Sequence, residues 1–309
     1  MSDTPKHVSV LLDECIENLN IKPDGIYVDG TLGLGGHSEQ ILKRLTTGRL
    51  IGIDRDESAI ERTSKRLEAY ADKMTLVHSN FCDVAEILDE LGIDGVDGML
   101  FDLGVSSPQL DEAERGFSYM LDAPLDMRMD NTSALSAYNV VNEWPEDELV
   151  RILFTYGEER YARRIAAKIV QSRPIETSME LVDVIKSAMP AAALREKQHP
   201  AKRSFQAIRI AVNDELGSVE KMMRTAPDKL KKGGRLCVIS FHSLEDRIVK
   251  TEIAARENGC TCPREAPICV CGFKQSLKNV HRKPIVPGED ELKSNPRSRS
   301  AKLRVAEKV

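Results

Sequence analysis

The sequence predicts an α/β fold in which a doubly wound, parallel sheet is interrupted by an all-helical insertion. Apolar runs alternate with helical patterns in the first third of the chain. Only helical patterns and loops occupy residues 111–203, and the alternation then resumes. Strand–helix alternation at this spacing is typical of a parallel sheet. We therefore expect a first part of the sheet domain (1–110), a helical insertion (111–203) and a second part of the sheet domain (204–309).

Four strands and three helices are predicted before the insertion. The strands are short runs rich in Val, Ile, Leu and Met: residues 25–30, 49–54, 74–81 and 96–104. The segments between them have helical patterns, and the third ends at a glycine: residues 37–45, 57–71 and 83–92.

The clearest helix of the insertion lies in the segment ERYARRIAAKIV. Its apolar residues recur at i, i+3, i+4 and i+7, which places them on one helix face: Ala162, Ile165, Ala166 and Ile169. After the insertion, the patterns predict a long helix, a strand that follows a Gly-Gly turn, a second helix and a final strand: residues 205–226, 233–241, 244–257 and 301–307. We therefore expect both ends of the chain to belong to one sheet.

Composition limits the class of protein. The chain has 309 residues, of which 41% are apolar, enough to bury the core of one or two domains. No uncharged apolar run approaches the ~20 residues that span a bilayer, and the N-terminus lacks the apolar core of a signal peptide. The chain has seven cysteines, an odd number that cannot all form disulfide pairs, and the sequence shows no export signal. We therefore expect a cytoplasmic protein with reduced cysteines.

The net charge of −5 conceals a gradient along the chain. Residues 1–156 carry 13 basic and 30 acidic side chains, whereas residues 157–209 carry 11 and 6, and residues 272–309 carry 10 and 4. The total alone argues against a polyanionic partner, but two basic stretches are typical of a surface that holds one. Solvated, charged helices are the alternative interpretation.

A glycine-rich segment, DGTLGLGGHS (29–38), follows the first predicted strand. Glycines there let a ligand approach the backbone, and the next helix offers N–H groups. Asp54 ends the second strand 18 residues after Gly36, where a carboxylate can accept hydrogen bonds from ribose hydroxyls. Phe81 stands at the end of the third predicted strand and Asp102 ends the fourth, at the sheet edge that lines the ligand crevice. Phe81 could stack on adenine or belong to the core.

Two cofactor classes fit this segment, namely a nicotinamide dinucleotide and S-adenosylmethionine. The dinucleotide spacing G-x-G-x-x-G is absent, because the glycines stand at 33, 35 and 36. Asp29 precedes the turn, where it can meet the cationic end of the methyl donor, and the turn has no Arg or Lys for a pyrophosphate. The pattern favours S-adenosylmethionine, and an NAD-dependent oxidoreductase remains the alternative.

The segment GVSSPQL (104–110) suggests that the methyl acceptor is an exocyclic amine. Its Ser-Pro-Gln turn is similar to the loop with which some methyltransferases hold an exocyclic amine. The lone pair of such an amine is delocalised into the ring, and hydrogen bonds accepted by carbonyls or a carboxylate draw it out, so positioning carries most of the catalysis. The candidate catalytic residues are Asp102, Ser107 and His242. A structural role for His242 is the alternative.

Long motifs then extend over nearly the whole chain, among them DLGVSSPQLDEAERGFSYMLDAPLDMRMD, HPAKRSFQAIRIAVNDEL and GGRLCVISFHSLEDRIVK. With them the chain resembles the bacterial 16S rRNA cytosine-N4 methyltransferases. The resemblance implies a class I (Rossmann-like) methyltransferase sheet with an inserted helical substrate domain. It also implies methyl transfer from S-adenosylmethionine to N4 of a cytidine in the decoding region. The cofactor contacts it implies are Gly35, Gly36, His37, Asp54, Phe81, Asp102 and Gln109.

The resemblance gives the basic stretches a hypothetical role in neutralising rRNA phosphates. The predicted contacts are those of the C-terminal tail and of Arg160, Arg163, Arg164, Lys202, Arg203 and Arg209. The implied partner is 16S rRNA within the small ribosomal subunit, with no membrane and with homodimerisation left open. Two further alternatives are an amine methyltransferase that acts on DNA or protein, and a non-catalytic RNA-binding assembly factor.

A cysteine-rich loop (260–271) has no assigned part in the predicted methyl transfer. Four thiolates can close a tetrahedral zinc site, and the loop supplies Cys260, Cys262, Cys269 and Cys271 in two C-x-C pairs. Some members of the family resemble the chain here and others lack the cysteines, so the reaction itself needs no metal from this cluster. Structural zinc, reduced free thiols and a disulfide are the alternatives.

Overall fold

The structure is a computed structural model that describes residues 9–262, 268 and 270–309, except for the side chains of Ser107 and Pro108. Its sheet has the strand order β3-β2-β1-β4-β5-β7-β6. The strands are β1 (Ile26–Asp29), β2 (Arg49–Asp54), β3 (Met74–His78), β4 (Val96–Asp102), β5 (Leu230–Ser240), β6 (Leu277–Asn279) and β7 (Lys302–Lys308).

Helices connect these strands and form the insertion. Over the described residues they are α1 (Leu12–Leu19), α2 (Gly36–Leu42), α3 (Glu57–Arg66), α4 (Val84–Glu90), α5 (Ser107–Asp111), α6 (Ala137–Glu143), α7 (Glu146–Thr155), α8 (Ala162–Gln171), α9 (Ser178–Ala188), α10 (Lys202–Asn213), α11 (Glu215–Thr225), α12 (Ser243–Asn258) and α13 (Glu289–Ser294). None of the helices in the described part of the chain is long and apolar enough to cross a membrane.

The predicted α/β fold is confirmed. Strands β1 to β5 pair in parallel, whereas β7 runs antiparallel to β5 and β6 antiparallel to β7. β1 lies between β2 and β4, so the strand order reverses there, and ligands of open α/β sheets bind at such a switch point. The orientation of β7, the short β6 and helix α1 are features that the sequence patterns did not predict.

Side chains of the central strands pack on both faces of the sheet. Tyr27 and Leu100 belong to one buried cluster, whereas Val28 and Phe101 belong to another. Successive residues of a strand point to opposite faces, so adjacent positions divide between the two clusters. This burial on both faces explains why the central strands appear in the sequence as nearly continuous apolar runs.

The chain divides into two compact units. The first consists of Met1–Gly104 and Leu216–Val309 and contains the sheet, and the second consists of Val105–Glu215 and is helical. The second unit has its own apolar core, in which α7, α8 and α9 contribute fully buried side chains such as Leu153, Ile165 and Leu181. The predicted insertion, residues 111–203, falls inside this second unit.

The helix predicted over residues 205–226 is in fact two helices. α10 ends at Asn213 and α11 begins at Glu215, because Asp214 adopts the left-handed conformation (φ 45°, ψ 46°), which Asp tolerates better than most residues. The buried Asn213 side chain donates to the carbonyl of Met127 at 2.8 Å and accepts from the N–H of Met129 at 2.8 Å. These long-range bonds stabilise the helix end, and the break coincides with the boundary between the units.

Candidate active site

Three carboxylates stand at the ends of neighbouring parallel strands. Asp29 ends β1, Asp54 ends β2 and Asp102 ends β4, and β1 lies between the other two strands. The carboxyl ends of parallel strands share one edge of the sheet, where ligands bind. The structure thus brings together three of the acidic residues that the sequence singles out.

The glycine-rich turn is hydrogen-bonded to the side chain of Asp54. The N–H of Gly33 donates to Oδ2 of Asp54 at 2.7 Å, and the hydroxyl of Thr63 donates to the carbonyl of Gly33 at 2.8 Å. Oδ1 of Asp54 accepts a further bond from the N–H of Asp56 at 2.9 Å. Each carboxylate oxygen offers two lone pairs, so Asp54 can hold the turn and still accept hydrogen bonds from a ligand.

An added side chain would have different amounts of space at Gly35 and at Gly33. Gly35 has φ +73°, and a Cβ there would lie 2.6 Å from Cγ2 of Thr63 on α3, so packing and backbone conformation both require glycine. Gly33 also has a positive φ, but the nearest atom to its added Cβ would be 3.9 Å away. The turn is therefore tightly packed at Gly35 and open at Gly33.

Asp29 belongs to a hydrogen-bond network beneath the turn. Its Oδ2 accepts from the hydroxyl of Ser38 at 2.6 Å, and its Oδ1 accepts from the N–H of Thr31 at 3.2 Å. Burial raises the pKa of Asp29 to about 6 against the opposing effect of these bonds. Thr31 and Ser38 were not predicted as site residues, because a hydroxyl beside a glycine turn has no spacing that separates it from an ordinary turn or helix residue.

Asp102 has an unmet hydrogen-bonding capacity. Its Oδ1 is buried and has no hydrogen-bond partner among the described residues. Burial raises the pKa of Asp102 to about 8, and the negative charges of Asp29, Glu245 and Glu291 add to the effect. A buried polar atom without a partner is unfavourable, so this carboxyl is suited to a ligand that brings a positive charge or an N–H group.

These residues fit S-adenosylmethionine better than a dinucleotide. The sheet edge presents the carboxyls of Asp29, Asp54 and Asp102, and burial raises the pKa of each. Arg55 opposes the shift at Asp54, whereas no described cation opposes it at Asp29 or Asp102, so there is a shortage of positive charge at this edge. A cation would relieve this shortage, whereas a pyrophosphate would add to the repulsion.

Phe81 and His37 occupy different surroundings. Phe81 follows β3 and is half-buried, with its ring centroid 6.0 Å from that of Phe101 at an interplanar angle of 60°. It therefore borders the core and keeps an accessible part. His37 is buried, and its Nε2 lies 3.1 Å from the carbonyl oxygen of Val10. The Nε2 atom of His37 is thus engaged within the protein, and its backbone lies at the start of α2.

The expected Ser-Pro-Gln turn is the beginning of a helix. α5 spans Ser107–Asp111, and proline is favoured in the first turn of a helix because its missing N–H is not needed there. Gln109 is buried, and its Oε1 accepts from the N–H of Ser106 at 3.0 Å. These residues belong to the second unit, and the side chain of Ser107 lies outside the described part of the structure.

His242 caps helix α12. Its Nδ1 accepts from the N–H of Glu245 at 3.4 Å, and Oε2 of Glu245 accepts from the N–H of Phe241 at 2.9 Å. Nε2 of His242 lies 3.1 Å from Oε1 of Glu245 without the alignment of a hydrogen bond. His242 therefore has a structural role as a helix cap. The contact of His242 with a base or phosphate stays a prediction.

The basic residues singled out in the second unit differ in availability. Arg160, Arg163, Arg164 and Lys202 are exposed. Arg160 and the half-buried Arg203 line one cavity together with His199 and Tyr161.

Arg209 is the exception among these residues. Its Nε and Nη2 donate to the two carboxylate oxygens of Glu215, each at 2.8 Å, and its side chain is only 18% exposed. A bidentate pair of this kind occupies the guanidinium fork. The geometry therefore does not support the expectation that Arg209 contacts phosphate.

Part of the C-terminal tail is likewise engaged in ion pairs. Arg304 and Lys302 both contact Asp246, at 2.6 and 3.1 Å, and Lys278 contacts Glu307 at 2.7 Å. These three side chains are engaged in ion pairs within the first unit, so the positive charge of the tail is less available to a polyanion than the count of residues suggests.

Comparison with known proteins identifies the family. Residues 4–309 match the family model described as the MraW methylase family. A relative from Brevibacillus brevis, named "Ribosomal RNA small subunit methyltransferase H", is 57% identical over 307 residues that cover 98% of each chain. Relatives with the same name from Clostridioides difficile and a Paenibacillus species are 57% and 58% identical, and each alignment covers 98% of this chain and 99% of the relative. The resemblance of the motifs is confirmed, and the chain belongs to the MraW methylase family.

Proposed function

We propose that the chain transfers a methyl group from S-adenosylmethionine to the exocyclic N4 amine of a cytidine in the decoding region of 16S rRNA. Membership of a methylase family supports methyl transfer, and the name shared by the three relatives supports small-subunit rRNA as the substrate. The observation that carries the chemistry is the buried Oδ1 of Asp102, which has no partner in the described part of the chain.

Different residues at the sheet edge contact different parts of S-adenosylmethionine. Asp54 accepts hydrogen bonds from the ribose hydroxyls, and the half-buried Phe81 contacts adenine. Asp29 and Asp102 provide negative potential for the cationic end. The backbone of Gly35, Gly36 and His37 borders the ligand in the glycine-rich turn. When bound, S-adenosylmethionine supplies an activated methyl group on a positively charged sulfur.

Asp102 is the residue suited to activate the amine. Its ionised carboxylate accepts a hydrogen bond from the amine N–H, which localises the lone pair on nitrogen for in-line attack. The proton must first leave Asp102, whose pKa is raised to about 8 by burial and neighbouring carboxylates. A cation bound nearby lowers the pKa of a carboxyl, so occupation of the site favours the ionised form. Positioning of the two substrates supplies the remainder of the rate enhancement.

The second unit contributes the contacts with RNA. The exposed Arg160, Arg163, Arg164 and Lys202 neutralise phosphates and thereby set affinity. The target cytidine leaves its stack to reach the methyl group. A substrate within the ribosomal subunit places the reaction in the cytoplasm. Light scattering of the purified chain decides between a monomer and a homodimer.

One experiment tests this function directly. Small ribosomal subunits that lack the modification are incubated with the protein and labelled S-adenosylmethionine, and the digested RNA is analysed by mass spectrometry. N4-methylcytidine in the decoding region is the expected product, and Asp102→Asn should abolish most of it. Label in DNA or protein would instead indicate a different amine substrate. Binding of the subunit without turnover, under conditions in which the donor binds, would identify an assembly factor.

A further inference from the structure

Three cysteine sulfurs converge in the loop between α12 and β6. The Sγ atoms of Cys260, Cys262 and Cys271 all lie within 4.8 Å of one another, and all three side chains are at least partly exposed. The loop belongs to the first unit and is separate in sequence from every residue assigned above to the donor or the RNA. Cys269, the fourth cysteine of the loop, lies outside the described residues.

The distance between two of the sulfur atoms is close to that between two ligands of one metal ion. The Sγ atoms of Cys260 and Cys271 are 3.6 Å apart. Two thiolates bound to one tetrahedral zinc ion at ~2.3 Å are separated by ~3.8 Å, whereas a disulfide bond measures about 2.05 Å. The observed separation is close to that of two ligands of one ion and too long for a disulfide bond.

A backbone bond supports the same interpretation. The N–H of Val270 lies 3.3 Å from Sγ of Cys262 and donates to it. A hydrogen bond to the ligand atom stabilises negative charge on sulfur, and such outer contacts are typical of metal sites. The chain therefore provides one member of the cluster with a donor suited to a thiolate.

The remaining described cysteines are unsuited to bind a metal. Cys15 and Cys237 are buried, and burial raises the pKa of the Cys237 thiol to about 12. Burial also raises the pKa of Cys82 to about 11. Metal binding requires the thiolate. Among the described cysteines, only Cys260, Cys262 and Cys271 combine proximity with exposure.

We propose that Cys260, Cys262 and Cys271 bind one zinc ion that closes the loop between α12 and β6. The ion joins Cys260 and Cys262, directly after α12, to Cys271, which precedes the edge strand β6. Binding releases the thiol protons, since zinc binds the deprotonated form. The ion has a structural role, and the inference does not depend on the proposed methyl transfer.

Metal analysis of the full-length chain tests the site. The protein is purified under reducing conditions without chelator, and zinc is measured by inductively coupled plasma mass spectrometry. We expect one zinc ion per chain, and Cys260→Ser and Cys271→Ser should each lower the affinity by more than the ~10–100-fold typical of losing an outer contact. Cys82→Ser, which changes a cysteine outside the loop, should keep the full zinc content.

A second measurement uses the unmodified chain and does not depend on how the variants fold. Cobalt(II) added to the metal-free, reduced protein should produce thiolate-to-cobalt charge-transfer absorption, and one equivalent of zinc should abolish it. Thiol titration should then show the loop cysteines protected only when zinc is bound. Absence of zinc together with absence of the cobalt bands in the reduced chain would overturn the proposal, as would a disulfide between Cys260 and Cys271.

Discussion

The backbone N–H of Asp102 donates a 2.6 Å hydrogen bond to Oγ1 of Thr31. This bond joins the end of β4 to the residue that follows Gly30 after β1, and the N–H of Thr31 in turn donates to Asp29. Thr31 therefore links the two strand ends that carry the carboxyls we place beside the donor.

Replacing Thr31 by valine keeps the shape of the side chain and removes this acceptor. The N–H of Asp102 then loses its partner in a partly buried region, and such a loss typically costs about 1–3 kcal/mol when the group is shielded from water. We expect urea denaturation to show a loss of this order and titration calorimetry to show weaker donor binding. Thr31→Ser retains the hydroxyl and is the matched control. Equal effects of the two variants would contradict the role assigned to the hydrogen bond.

The stability of the donor-free chain should fall as pH rises because of Asp102. The pKa of Asp102 is about 8 in the folded chain and about 3.9 when unfolded, so the folded state binds the extra proton between these values. Stability therefore decreases from about pH 4 to about pH 8. Asp102→Asn removes this contribution, and its melting temperature relative to the parent should rise across that range. A difference independent of pH would contradict the prediction.

Donor binding should strengthen with pH more than product binding does. S-adenosylmethionine carries a positive sulfur, whereas S-adenosylhomocysteine has a neutral one. The cation favours the ionised forms of Asp29 and Asp102, whose pKa values are raised to about 6 and about 8. If one proton is released on binding, the affinity ratio of the two ligands rises up to about tenfold per pH unit. Isothermal titration calorimetry between about pH 6 and 8 measures this ratio. A constant ratio would argue against direct electrostatic contact.

Charge reversal on α8 should weaken RNA binding. Arg163 and Arg164 are exposed at the start of this helix, and the double change to glutamate should lower affinity for the ribosomal subunit. The dependence of log K on log salt should lose about one unit of slope for each phosphate contact removed, while donor affinity stays unchanged.

The control for this experiment reverses two exposed charges elsewhere. Lys65 on α3 and Lys250 on α12 lie outside both basic stretches, and their double change to glutamate alters the net charge equally. Filter binding over a series of salt concentrations compares the two variants. The assignment of α8 fails if both lower the affinity to the same extent.

Much of the fold could be predicted from local patterns. The strand predicted at residues 49–54 coincides with β2, and the predicted helix face of Ala162, Ile165, Ala166 and Ile169 is buried in α8. Burial on both faces produces apolar runs, and burial on one helix face produces a period near 3.6. By contrast, the break at Asp214 depends on bonds from Asn213 to residues more than eighty positions away, which no local period records.

The sequence by itself determined the family, the parallel strands and the glycine-rich turn with Asp54, because these depend on local composition and long motifs. Only the tertiary structure decided which polar side chains are already engaged. It pairs Arg209 with Glu215, makes His242 a helix cap and leaves Oδ1 of Asp102 buried without a partner among the described residues. The physical reason is that pKa and availability depend on burial and on neighbours distant in sequence, and neither can be derived from spacing along the chain.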